Sequence, residues 1–178
     1  VKAGGRGRAY RDAVSWLVDA GLVTRVPKVT KPGVPLLTYA DSRSFKLFLI
    51  DVGLLGAAYG LDQDVVVEGT ALYTQGKGAY AEQYVCQQLV ASNACVPYYW
   101  SADGRTDKAE VDFLYECRGK VIPLEVKSDD NVHSESLAKF SKKFSIGRCQ
   151  RLSLRGFKDE GWLVNVPLFS ANVLPDVL

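Results

Sequence analysis

"AEVDFLYECRGKVIPLEVKS", residues 109–128, sets four charged side chains into what otherwise reads as two apolar strands: Glu110, Asp112, Glu125 and Lys127. Its turn signal is Cys-Arg-Gly-Lys, centred between Arg118 and Gly119, with a β-branched and aromatic run on either side. Any even-length loop on that centre pairs residues equidistant from it. Counting outward sets Asp112 opposite Glu125 and Glu110 opposite Lys127. Strict alternation then predicts Glu110, Asp112, Glu125 and Lys127 on one face, and Val111, Phe113, Tyr115, Ile122, Leu124 and Val126 on the other.

Directly opposed side chains have Cβ atoms about 4.5–5.5 Å apart, and like charges there repel. Glu110 with Lys127 makes an ordinary ion pair. Asp112 against Glu125 calls for a shared proton or a cation between them. Oxygen donors without Cys or His beside them suit a hard ion such as Mg²⁺ or Mn²⁺. A hairpin whose charged face simply splays into water satisfies the same count, and a bulge near the turn shifts the register.

Around this hairpin the chain is 178 residues long, 47% apolar and 24% charged, the make-up of a folded globular protein. No apolar run reaches bilayer length and no signal peptide opens the chain, so a cytoplasmic location is expected. Cys86, Cys95, Cys117 and Cys149 show no CxxC or ligand spacing and read as reduced thiols. The absence of Met and the start at Val1 read as a piece of a longer protein. The net charge of +2 hides an asymmetry: residues 1–50 hold nine basic and three acidic side chains, and the remainder thirteen and seventeen. A basic N-terminal segment fits an anionic partner, or simply a solvated face.

Working outward, residues 8–20 carry Ala13, Trp16, Leu17 and Ala20 at helical spacing, and Gly21 stops the helix. "LVTRVPKV" (22–29) and "PLLTYA" (35–40) read as two short strands across a Pro/Gly turn. Residues 1–60 thus resemble the end of a winged helix, with Arg25, Lys28 and Lys31 as candidate nucleic-acid contacts; winged helices also dock proteins. Residues 45–60 run from strand into helix, and 61–70 mark a boundary before a second domain, 61–178. That domain reads as a helix (76–92), strands at 97–101, 109–116 and 121–127, a polar helix (134–144), and strands at 148–154 and 161–167. The order is that of an α/β protein with a mixed sheet. Taken singly, Glu82 is a solvated helix residue, His133 a cap or loop residue, and Trp16, Tyr98, Tyr99, Trp100 and Trp162 packing residues. Lys139, Lys142, Lys143 and Arg148 are either a solvated helix end or the wall of a DNA channel.

Taken in order, "LVDAGLV", "FKLFLIDVGLL", "GAYAEQYV", "YYW", "EVDF" and "IPLEVKS" resemble the domain of unknown function 4143, the C-terminal region of prokaryotic proteins that begin with a AAA-type ATPase domain. The acidic strand followed by Glu-x-Lys is similar to the active-site hairpin of the PD-(D/E)xK (restriction-endonuclease-like) nuclease superfamily. The resemblance implies that Asp112, Glu125 and Glu82 bind Mg²⁺ or Mn²⁺ with the Val126 carbonyl. It further implies that Lys127 handles the attacking water, that the substrate is DNA, and that an ATPase domain is the partner. The first acidic motif is Glu-Val-Asp rather than Pro-Asp, so the match there rests on Asp112 alone. No GxxxxGK[ST] pattern occurs, so no ATP site is expected within these residues. A nuclease fold without catalysis, serving as a docking module that regulates the ATPase, is the alternative.

Overall fold

The computed structural model describes residues 10–60, 76–104, 108–128 and 133–177. Helix α1 (Arg11–Asp19) turns into strand β1 (Val23–Val29) at Gly21, whose φ of +71° is the left-handed position glycine takes at least cost. Strand β2 (Ala40–Leu49) returns antiparallel to β1, and α2 (Val52–Ala58) follows. Asp51 caps α2, its Oδ1 accepting the Leu54 amide at 2.7 Å. Then come α3 (Lys77–Ala91), β3 (Tyr98–Ser101), β4 (Glu110–Cys117), β5 (Lys120–Val126) and α4 (Glu135–Phe144). The chain finishes with β6 (Cys149–Ser153), β7 (Lys158–Asp159), β8 (Leu163–Pro167) and a 3₁₀ tail, Leu168–Val177.

The strands form one mixed eight-stranded sheet in the order β2-β1-β3-β4-β5-β6-β8-β7. Strands β3, β4 and β5 run antiparallel, while β6 is parallel to both β5 and β8. The N-terminal hairpin joins this sheet through a parallel contact, Lys28 beside Tyr99.

A core lies on each face. Val85 and Leu89 of α3 pack with Phe48, Phe113, Tyr115, Ile122 and Leu124, and the tail adds Ala171 and Leu174. On the other face Leu137 and Phe140 of α4 pack with Trp100, Val111, Leu114, Val121 and Cys149. The sheet is therefore the middle of three layers, which is how a sheet apolar on both sides avoids water. The Tyr115 hydroxyl, buried between layers, donates to Gln150 Oε1 at 2.6 Å, and Gln150 Nε2 donates to the Leu174 carbonyl of the tail.

Three expectations need correction. "PLLTYA" is not a strand: Leu36–Tyr39 form a 3₁₀ turn, because Leu36 is fully buried in the α4-side core and its amide donates to the Glu116 carboxylate. The strand that pairs with β1 is instead the next ten residues, Ala40–Leu49, with a bulge at Pro27/Lys28. Second, β7 and the 3₁₀ tail are additional to the predicted elements. Third, the four charges of the hairpin do not share a face. The counted register holds from Phe113–Leu124 to Cys117–Lys120. On its other side, however, β4 pairs Val111 with Trp100 and Leu114 with Tyr98, so three steps on β4 match two on β3. This bulge puts Val111 and Leu114 in the α4-side core while Phe113 and Tyr115 fill the α3-side core, which single alternation forbids. The expected boundary at 61–70 lies outside the described residues.

Candidate active site

The bulge frees Asp112 from the ladder. Its Oδ2 accepts the Val126 amide at 2.8 Å, the donor that a regular strand would satisfy with a backbone carbonyl. The carboxylate is thus wedged between β4 and β5. Burial, and next the nearby Glu82, push its pKa up to about 7; the Val126 amide and Lys46 oppose that rise and Glu125 adds to it.

Glu82 reaches this region from α3, and Gln83 beside it fixes the helix. Gln83 is buried and holds both backbone groups of Leu49, accepting the amide at 3.0 Å and donating to the carbonyl at 2.6 Å. Gln87 accepts the Val52 amide at 3.2 Å one turn later. The end of β2 is therefore clamped to α3. Phe48 enters the α3-side core, and Lys46, two residues back, comes to the same face. Its ammonium lies 3.5 Å from Glu82 Oε2, is ion-paired to Glu110, and sits 5.2 Å from the centre of the Tyr99 ring. Burial works to lower its pKa, but Glu82, Glu110 and Asp112 outweigh burial and hold it above the ordinary lysine value.

Glu125 alternates with Leu124 and Val126, which belong to the α3-side core, and so faces α4. In the parallel ladder it lies beside Arg151 of β6, and the thiol of Cys149, a residue of the α4-side core, is pushed up first by its own burial and further by the Glu125 charge. It is 5% exposed. One oxygen accepts from Lys127 Nζ at 2.9 Å; the other, Oε2, is buried without a hydrogen-bond partner. The structure thus brings Glu82, Glu110 and Lys46 together on one side and Glu125 and Lys127 on the other, with Asp112 in between and sensing both groups.

The donor set is all oxygen, and an orphaned buried carboxylate oxygen is a group that a hard divalent ion satisfies, so the residues fit such an ion. Among the described residues no three acidic, histidine or cysteine side chains stand together as a finished metal cage. Lysines hold the acids instead.

The N-terminal cations are already engaged. Arg25 donates to the Ser42 carbonyl at 2.7 Å and stacks over Phe45; with Arg11 and Arg43 it lines a cavity of about 550 Å³. Lys28 pairs with Asp103 at 2.6 Å, and Lys31 lies over the Tyr39 ring. In the second basic cluster, Lys143 lies over Trp100 and Arg148 pairs with Asp159. Lys46 was missed from sequence. The signal was there: in Phe-Lys-Leu-Phe-Leu (45–49) either alternating set can be buried, and burying Phe48 brings Lys46 in and leaves Leu47 exposed.

The fold defines a mixed α/β protein with a helix on each face of its central strands and an acid–lysine cluster where those strands open. A family model, domain of unknown function DUF4143, matches residues 77–168, just over half of the 178 residues. The chain belongs to this family. A second model, domain of unknown function DUF8612, matches residues 1–65. A search of curated proteins found no match. Among solved structures the chain is similar to protein VC1899 from Vibrio cholerae at 13% identity, covering 98% of this chain and 42% of that one with a TM-score of 0.33. No helix among the described residues is long and apolar enough to cross a membrane.

Proposed function

We propose that α3 to β6 form a PD-(D/E)xK nuclease-like core with a metal-dependent site that hydrolyses DNA phosphodiesters, carried as a module on a AAA-type ATPase. The element order supports this reading: a helix, three antiparallel strands, a helix on the opposite face, and a parallel strand. Glu82 comes from the helix, Asp112 from the middle strand, and Glu125-Val126-Lys127 from the third. The observation that carries the reading is the placement of Asp112, held on the Val126 amide where β4 leaves the ladder, with Glu82 on one side and the orphaned Glu125 oxygen on the other.

Asp112 and Glu125 are the oxygen ligands offered to Mg²⁺ or Mn²⁺, with the Val126 carbonyl, and Glu82, on the other side of Asp112, completes the shell directly or through water. When bound, the ion supplies Lewis-acid polarisation of the scissile phosphate and charge stabilisation at the leaving oxygen. Lys127, tethered to Glu125, holds the attacking water and offsets phosphate charge. Asp112 keeps the Val126 amide occupied and so fixes the backbone of the residue whose carbonyl is the fourth donor. The arginines of the N-terminal cavity, with Lys28 and Lys31 on the hairpin, extend a basic surface for the phosphate backbone, in the manner of a winged helix.

The test is nicking of supercoiled plasmid. Cutting is expected with Mg²⁺ or Mn²⁺ and none in EDTA, with Asp112→Asn and Lys127→Ala each reducing the rate on the order of 100-fold or more. Folded variants that cut as fast as the parent overturn the proposal. One observation favours a second reading, an inactive docking module that regulates the ATPase: Lys46 is already ion-paired with both Glu82 and Glu110. Retained DNA binding with no cutting in any divalent metal supports that reading.

A further inference from the structure

We infer that the cavity beside the N-terminal hairpin is a nucleotide site, its phosphate held by Arg11, Arg25 and Arg43 and its sugar or base set against Val14 and Phe45. The inference deepens the DNA-binding part of the reading above and is independent of its metal chemistry. Three elements meet there. Arg11, Val14 and Ser15 share a face of α1 at helical spacing, Arg25 comes from β1, and Ser42, Arg43 and Phe45 come from β2. Arg25 alternates with Val26, which enters the α3-side core, so the cavity lies on the opposite face of the hairpin. Helix α1 has no buried residue: it stands off this face and leaves a cavity of about 550 Å³. Small-ligand sites run to roughly 300–1,000 Å³.

Charge says what fits. Three guanidiniums line one cavity, and Asp41 answers only Arg43, its Oδ1 accepting from Nε at 3.3 Å. Among the described residues the Arg11 side chain has no hydrogen-bond or ion-pair partner. The Ser42 carbonyl and the Phe45 ring fix the Arg25 guanidinium and leave it further N–H donors. These like charges repel until an anion joins them. Phosphate oxygens match the planar guanidinium fork two at a time, and Ser15 and Ser42 add hydroxyl donors. Val14 and Phe45 suit the sugar or base that a nucleotide carries and inorganic phosphate lacks. Lys28 and Lys31, engaged by Asp103 and Tyr39, stand outside this lining.

The experiment, run in EDTA, is fluorescence anisotropy of a short labelled single-stranded oligodeoxynucleotide, competed with deoxyadenosine monophosphate and with inorganic phosphate. Arg11→Ala and Arg43→Ala are each expected to weaken binding on the order of tenfold and to make the salt dependence of log affinity shallower by about 0.7. Lys120→Ala, at an exposed lysine of the β4–β5 turn, should stay within about twofold of the parent. Competition by the mononucleotide assigns the site to free nucleotides, and its failure to compete assigns the site to a strand. Inorganic phosphate competing as well as the mononucleotide overturns the part given to Val14 and Phe45. Arginine variants that bind like the parent overturn the cavity and leave DNA binding elsewhere on the chain standing. Absence of binding by either probe also overturns it, while plasmid nicking still decides cleavage by itself. In the parent the bound probe must shift the Arg11, Arg25 and Arg43 Nε–H NMR signals, and unmoved signals refute the site even where a variant does not fold.

Discussion

The two ends of the β4–β5 hairpin are built from the same residue types and behave differently. At the turn end, Phe113 to Cys117 against Lys120 to Leu124, every residue pairs where counting sets it, and the apolar side chains divide cleanly between two cores. At the open end a bulge inserts a residue, a carboxylate replaces a backbone carbonyl as acceptor, and charges from β2, α3 and β5 gather. Packing on both faces enforces register at the first end. At the second, the ladder yields and the Asp112 side chain takes the place of a backbone acceptor.

The sharpest test of that contrast is a cavity at the regular end. Phe113 is fully buried and its ring lies 5.4 Å from that of Phe48, joining the central hairpin to β2. Phe113→Ala is expected to cost about 3–5 kcal/mol in urea unfolding. A cost below 1 kcal/mol means that the α3-side core does not depend on the hairpin.

The open end is predicted to respond to pH. Asp112 has its folded-state pKa raised from 3.8 to about 7, so between those values the native chain holds a proton that the unfolded chain has released. Stability contributed by the neutral carboxyl is present below pH 4 and is lost as pH rises through 7. In EDTA the parent should lose on the order of 2 kcal/mol across that window, after allowing for the partial solvent access of the group. Asp112→Asn should remove this slope. A parent whose stability rises over the same window contradicts the strained carboxylate.

The same contrast decides what sequence reading could reach. Helices α1, α3 and α4, the β4–β5 turn and the strands of the second half follow from apolar period, turn chemistry and Gly21, all of which are local. The bulge does not follow, because it comes from fitting β4 to β3, and nothing within "EVDF" marks an extra residue there. Leu36 likewise obeys its distant partners: Glu116, eighty residues away in sequence, takes its amide and turns an expected strand into a 3₁₀ turn. Of the site residues, Glu82, Asp112, Glu125 and Lys127 were named from motif order. Lys46 was hidden because its strand was drawn without a partner, and its face is set by Phe48 and Gln83.

The smallest expected effect returns to the turn. Arg118 and Gly119 both have positive φ, +50° and +73°, between the paired Cys117 and Lys120, which is the two-residue turn whose twist matches a hairpin. Glycine meets the second position without strain, but Arg118 carries a Cβ into the left-handed region, where asparagine is better tolerated. Arg118→Asn is therefore expected to stabilise the chain by about 0.5 kcal/mol, read as a raised urea midpoint with unchanged slope, and to leave the Asp112-dependent pH response untouched. If the substitution instead alters that pH response, the two ends of the hairpin are mechanically coupled, and the bulge is held by the turn as well as by β3.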